Sequence, residues 1–310
     1  MNYNLIFIIS LFVCKAISVQ PWNLTFEAKG ETFFDYFDFL DKADPSHGFV
    51  NYVDHQTALD NGYINISEGG DVYIGCDHER IALEHGRDSI RIQSKQTFSY
   101  GLFILYLSHM PYGCGTWPAW WLVGPNSPYG GEIDIIEGVN MQTHDDTTLH
   151  TGPGCDFTNV SRNFSGNIVS FQDCDSTKTS GCTISSDNIN SYGAHLNSRN
   201  GGLYALEWTS DGVFSWFWTE GEIPSDALGN NPNPETWGEA YASFPFGSYC
   251  PPSNFENQTL ILNLDFCGDW AGNVFESDCP GKGTCVDYVM NNPQEFQDAY
   301  WNIHWMKVFC

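Results

Sequence analysis

The stretch GGEIDIIEGVN, residues 130–140, carries three acids, Glu132, Asp134 and Glu137, among isoleucines and glycines and with no basic neighbour. In a β-strand successive side chains alternate between faces, so residues two apart share one. Glu132 and Asp134 therefore point one way, while Ile133 and Ile135 point into a core. Glu137 is out of step. On a regular strand it would join the isoleucines, an expensive place for an unpaired carboxylate. A β-bulge near Ile135–Ile136 inserts one residue and returns Glu137 to the acidic face. Three carboxylates then line one face in a row, and close like charges drive at least one pKa up.

The rest of the chain is strand-rich. SIRIQS sets Ile90 and Ile92 against Arg91 and Gln93, and LFILYLS sets Phe103, Leu105 and Leu107 against Ile104 and Tyr106. LYALEW (203–208) and VFSWFW (213–218) are joined through Ser210-Asp211-Gly212, a hairpin signal. LILNLDF (260–266) puts Leu260, Leu262, Leu264 and Phe266 on one face and Asn263 and Asp265 on the other. NIHWMKVF (302–309) closes the chain. Helical periodicity is scarce, and TFFDYFDFLDKA (32–43) reads as a short, turn-rich helix. Alternating strands with Gly-, Pro- and Asn-rich connections predict an all-β fold, a two-sheet sandwich or jelly roll. The polar second faces of several strands fit a sheet that lines a groove.

The chain has 310 residues, 42% hydrophobic and 15% aromatic, enough for a sizeable core. Its formal charge of −26 excludes nucleic acid as a partner, because a phosphate backbone would be repelled. The apolar run LIFIISLFV (5–13), followed by small residues at Ala16 and Ser18, reads as a secretory signal over residues 1–18. A single domain over 19–310 follows, with no membrane span and a monomer expected. Apart from Cys14 in that signal, the cysteines could all pair, as in an oxidising compartment. Five N-x-S/T sequons, at Asn23, Asn65, Asn159, Asn163 and Asn257, suit a secreted, extracellular glycoprotein.

A row of carboxylates has three readings. It is a solvated acidic edge strand, a divalent-cation site, or the pair of unequal carboxyls that glycoside hydrolysis needs, one ionised and one protonated. GEIDIIEG closely resembles the E-x-D-x-x-E signature of glycoside hydrolase family 16, in the bulged form of laminarinase-like β-1,3-glucanases. DPSHGFVNYVD (44–54), DSIRIQSK (88–95), HMPYGCGTWPAWW (109–121), TTLHTGPGC (147–155), SYGAHLN (191–197) and NLDFCGDWAGNVF (263–275) also look like fungal-type members. The resemblance implies a β-jelly-roll sandwich of two antiparallel sheets with a concave substrate cleft. It implies an endo-β-1,3(4)-glucanase that retains anomeric configuration, with Glu132 as nucleophile, Glu137 as general acid/base and Asp134 tuning the nucleophile. The two outer carboxyls are then expected about 5–5.5 Å apart. Neither cofactor nor metal is implied, and the partner is a β-1,3- or mixed-linkage glucan.

A neutral polysaccharide offers no charge to grip, so aromatic faces must bind it. In TWPAWW, alternation puts Trp117 and Trp121 on one face and Trp120 on the other. The family pattern favours Trp117 and Trp121 as the cleft pair. Trp270, in the Gly-rich CGDWAG, is a further sugar platform, and similar enzymes place a histidine beside the carboxylates, here His150. Asn51 and Arg91 match positions that contact sugar hydroxyls in such enzymes. One departure stands out: family members commonly have Trp-Pro shortly before the catalytic strand, but here Ser127 precedes Pro128. Either an aromatic contact is missing there or Tyr129 substitutes for it.

Three rival readings remain: a non-catalytic β-glucan-binding protein on the same scaffold, a glucan transglycosylase, and a secreted cation-binding structural protein. Intact acids argue against the pure binder, which has no need of an unfavourable carboxylate row.

Overall fold

A computed structural model describes residues 22–310. The secretory signal expected over residues 1–18 lies outside the described residues. Two eight-stranded antiparallel sheets form the frame, with a two-stranded parallel pair, Val50–Tyr52 and Arg87–Ser89, beside them. From edge to edge the first sheet runs Asn167–Ser170, Cys182–Ser185, Asp146–His150, Glu132–Glu137, Thr116–Val123, Gln258–Phe266, Arg91–Phe98 and Phe37–Phe39. The acidic strand thus sits mid-sheet, held from both sides. The second sheet is built on Gly101–His109, Gly202–Thr209, Gly212–Thr219 and Trp301–Phe309, and the expected hairpin closes with Thr209 opposite Gly212.

The alternation read from the sequence decides which face of each strand enters the core between the sheets. Ile92, Trp120, Leu122, Ile133, Leu260 and Leu262 of the first sheet bury there against Phe103, Leu105, Leu107, Tyr204, Met306 and Val308 of the second. Fully burying one such side chain is worth about 1.5–3 kcal/mol, so a strand slipped by one residue would forfeit the whole set.

Two expectations are corrected. In place of one helix over residues 32–43, a short 3₁₀ helix at Gly30–Tyr36 leads into the edge strand Phe37–Phe39, paired with Arg91–Phe98. Phe33 and Phe37 bury in the main core, their rings 5.2 Å apart. Aromatic burial and an open sheet edge outweigh a weak helical pattern. Nor do all the cysteines pair. Among the described residues, bridges join Cys114–Cys279, Cys155–Cys250, Cys174–Cys182 and Cys267–Cys285, but Cys76 is free and buried.

Ile104, expected opposite the core, is also buried. It lies with Leu102, Leu203, Ala205 and Phe309 in a second apolar layer on the outer face of its sheet, beneath Trp216 and Trp237. Several of the eleven tryptophans therefore serve packing. Among the described residues, no helix is long and apolar enough to cross a membrane.

Candidate active site

The bulge falls where the sequence places it. Opposite the Thr116–Val123 strand, Asp134 pairs with Trp121 and Ile136 with Trp120, so Ile135 is the extra residue. Ile133, Ile135 and Ile136 all enter the core, and Glu137 comes back into register opposite Ala119 on the acidic face. The strand's entry is equally constrained. Gly131 has φ +77°, and a Cβ there would meet the Phe255 ring and the Asn254 carbonyl. Only glycine fits both demands.

The row is graded in depth. The side chain of Asp134 is 3% exposed against 22% for Glu132, so the middle acid lies beneath its neighbour. Trp117 Nε1 donates to Glu137 Oε1 at 2.8 Å, and the Ser127 hydroxyl donates to Glu132 Oε2 at 3.2 Å. His150 is directly across from Glu132 on the next strand. Its Nε2 is 3.1 Å from Asp134 Oδ2 and 4.0 Å from Glu132 Oε1, while Nδ1 meets the Ser176 hydroxyl at 2.7 Å. Asp134 Oδ2 is close to that ring but off the line of a hydrogen bond.

All three carboxyls hold their protons unusually well. Burial, then Asp134, pushes Glu132 up to about 7, against the opposing pull of His150, Ser127 and Arg91. Burial raises Asp134 as well. Glu137 is raised well above its ordinary value by burial and then Asp134, with His150 and Trp117 working against the rise. The magnitudes explain why the neutral donors lose. Two charges 4 Å apart repel by about 4 kcal/mol at an effective dielectric near 20, whereas one hydrogen bond contributes about 1 kcal/mol. Glu132 is therefore the easier of the two outer acids to ionise, and Glu137 the one that keeps its proton.

Aromatic rings surround the row. Trp117 and Trp121 lie half-buried on the acidic face and Trp120 is fully buried behind it, as alternation requires. Trp270 meets Trp117 edge-on at 5.8 Å, making an aromatic corner beside Glu137. It stands in a helical turn, Gly268–Gly272, tied down by the bridges Cys114–Cys279 and Cys267–Cys285. Trp121 donates to Asn263 Oδ1 at 2.7 Å, and the Arg91 guanidinium lies 5.1 Å from its ring centre. Arg91 also pairs with Asp44 at 3.6 Å. Asn51, the remaining expected site residue, donates its amide to Asp88 Oδ1 at 2.7 Å.

Sequence reading missed Ser127 and Ser176 as partners of the row, and Asp145, which accepts the Glu137 N–H at 3.1 Å. Ser127 had a signal in its departure from Trp-Pro, whereas single Ser and Asp residues in loops carry none. Oxygen and nitrogen ligand atoms of Glu132, Asp134 and His150 lie within 4.8 Å of one another, a spacing that a cation could bridge.

A family model described as an XgeA-like, catalytic GH16 domain matches residues 37–309. The chain belongs to glycoside hydrolase family 16. It is 43% identical to a probable glycosidase of Schizosaccharomyces pombe, over 94% of this chain and 70% of that one. A probable endo-1,3(4)-beta-glucanase of Aspergillus flavus is 41% identical over 94% of this chain and 45% of the relative, so the chain spans about half of that relative's length. Among solved family 16 structures, Laminarinase 16A from Phanerochaete chrysosporium superposes with a TM-score of 0.88 at 38% identity. The match covers 94% of this chain and all of the other, which was solved with 6-O-glucosyl-laminaritriose in donor and acceptor sites. An elongating family 16 beta-1,3-glucosyltransferase gives a TM-score of 0.87 at 35% identity, over 93% of this chain and 100% of the other. The two-sheet jelly roll expected from the sequence is the fold of this family.

Proposed function

We propose that the chain is the catalytic domain of a secreted endo-β-1,3(4)-glucanase that cleaves internal linkages of β-1,3- or mixed-linkage glucan with retention. One observation carries the reading: two unequal carboxyls, Glu132 and Glu137, share one face of a mid-sheet strand with a buried acid between them. Glu132 has the lower proton affinity of the two and attacks the anomeric carbon from its ionised form. Glu137, kept protonated by burial and by Asp134, gives its proton to the leaving glycosidic oxygen. The indole N–H of Trp117 holds one oxygen of Glu137, which directs the proton to the other. In the second step Glu137, now a base, takes a proton from the water that releases the sugar from Glu132. The Ser127 hydroxyl holds Glu132 by its Oε2, while burial and Asp134 raise its proton affinity and His150 lowers it.

The test is incubation of the purified protein with laminarin and with mixed-linkage glucan, following oligosaccharides by chromatography and the first-formed anomer by NMR. We expect β-configured products, and a fall of about 10³-fold or more in Glu132→Gln. No release by the wild type, or undiminished release by the variant, rejects the reading. An initially α-configured product rejects retention alone. A chelator should leave the rate unchanged, and its loss would favour a cation bridging Glu132, Asp134 and His150 instead.

A second reading, transfer of the glycosyl group to another sugar, is favoured by the likeness to the elongating glucosyltransferase. It uses the same acids and differs in what resolves the intermediate. Products longer than the donor, at the expense of free reducing ends, would establish it.

A further inference from the structure

The bulge has a structural cost on the side away from Thr116–Val123. Register with the His150 strand ends at Asp134 opposite Thr148, whereas pairing on the other side continues to Glu137. Beyond Asp134 the strand needs another acceptor for its backbone, because a buried N–H without one costs about 1–3 kcal/mol. Asp145, fully buried, supplies it. Its Oδ1 accepts the Glu137 N–H at 3.1 Å, and its Oδ2 accepts the Tyr241 hydroxyl at 2.8 Å. Tyr241 in turn lies 2.6 Å from the Thr147 hydroxyl, and Asp145 N donates to Ser191 Oγ at 2.9 Å. These partners are all neutral. A buried carboxyl without a cation is an expensive way to finish a strand, and a core serine or asparagine could accept an N–H for less.

We propose that Asp145, held by Tyr241, is a positioning residue that fixes Glu137 on the cleft side of its strand after the bulge. The inference rests on the reading of Glu137 as acid/base. The hydrogen bond of Asp145 to Glu137 is to the backbone N–H, and Asp145 acts through it. Tyr241 fixes the rotamer of Asp145, so the peptide of Glu137 stays where its carboxyl can meet both the Trp117 indole and the leaving oxygen. Misplacing a catalytic group by about 1 Å costs on the order of 10²-fold.

The test is a series at one position, with laminarin as substrate. Asp145→Val cannot accept the N–H, and its kcat should fall about 10- to 100-fold with KM little changed. Asp145→Asn keeps a carbonyl oxygen for that N–H and should recover most of the loss. Tyr241→Phe removes a single hydroxyl and, with its fold checked by circular dichroism, should lower kcat several-fold. The amide exchange rate of Glu137, followed by NMR without substrate, should rise in Asp145→Val and Tyr241→Phe but not in Asp145→Asn. That readout stays decisive even if laminarin proves to be the wrong substrate. Unchanged kcat and unchanged exchange in Tyr241→Phe overturn the proposal, whether or not Asp145→Val folds. An equal loss in Asp145→Asn and Asp145→Val overturns the acceptor role.

Discussion

Glu132 titrates near 7 because burial and Asp134 outweigh His150, Ser127 and Arg91. A carboxyl whose pKa rises on folding binds its proton more tightly in the folded state than in the unfolded one. The stability this contributes is complete below the ordinary carboxylate range and is lost as pH rises through the folded value. The melting temperature should therefore decline between about pH 4.3 and about pH 7, and Glu132→Gln should flatten that decline. A wild-type melting curve that climbs over this window would contradict the burial of the row. Ser127 has the opposite influence, since its hydroxyl favours the ionised form of Glu132. Ser127→Ala should move the acid limb of kcat/KM up by several tenths of a pH unit, and Ser127→Thr should restore it. At this scale the acids, His150 and the tryptophans on the acidic face were legible, because each has a spacing or motif of its own. Asp145 was not, and Ser127 was legible only as a departure from Trp-Pro, since what matters is the atom that each touches once the chain is folded.

The bulge is the element that converts spacing into chemistry. Ile135 is the residue without a partner on the Thr116–Val123 strand. Deleting it should make the strand regular and drive Glu137 toward the core. Activity should vanish, and stability should fall by several kcal/mol from the misplaced carboxylate. Retained activity in the deletion would mean that the bulge can reform elsewhere. The neighbouring strand offers a second contrast between its two faces. Trp120 is fully buried, and Trp120→Ala should cost about 3–5 kcal/mol of stability by denaturant unfolding. Trp121 is half-buried on the acidic face against the Arg91 guanidinium, so Trp121→Ala should cost less stability and, if the proposed function holds, raise KM more. Equal effects in both assays would erase the distinction between core and cleft face. The register of these strands was legible from period-two alternation. The edge strand Phe37–Phe39 was not, since it exists only because Arg91–Phe98 leaves an edge to pair with.

The whole molecule divides its cysteines and tryptophans between stability and function. Cys114–Cys279 closes a span of 165 residues and, with Cys267–Cys285, anchors the turn that carries Trp270. Replacing Cys114 and Cys279 by serine should cost about 2–5 kcal/mol and also raise KM for laminarin, through loosening of Trp270. A stability loss with unchanged KM would separate the bridge from the cleft. The five sequon asparagines are all exposed, as glycosylation would require. The sequence by itself determined the strand periodicity, the acidic row, the need for a bulge and the family, because each is written in the order of neighbouring residues. Tertiary structure alone decided which cysteine stays free, which tryptophans became core, and which side chains meet the acidic row. Those outcomes depend on how the whole chain packs, since even the short spans from Ser127 to Glu132 and from Glu137 to Asp145 close only in the fold, and no local pattern encodes such a meeting.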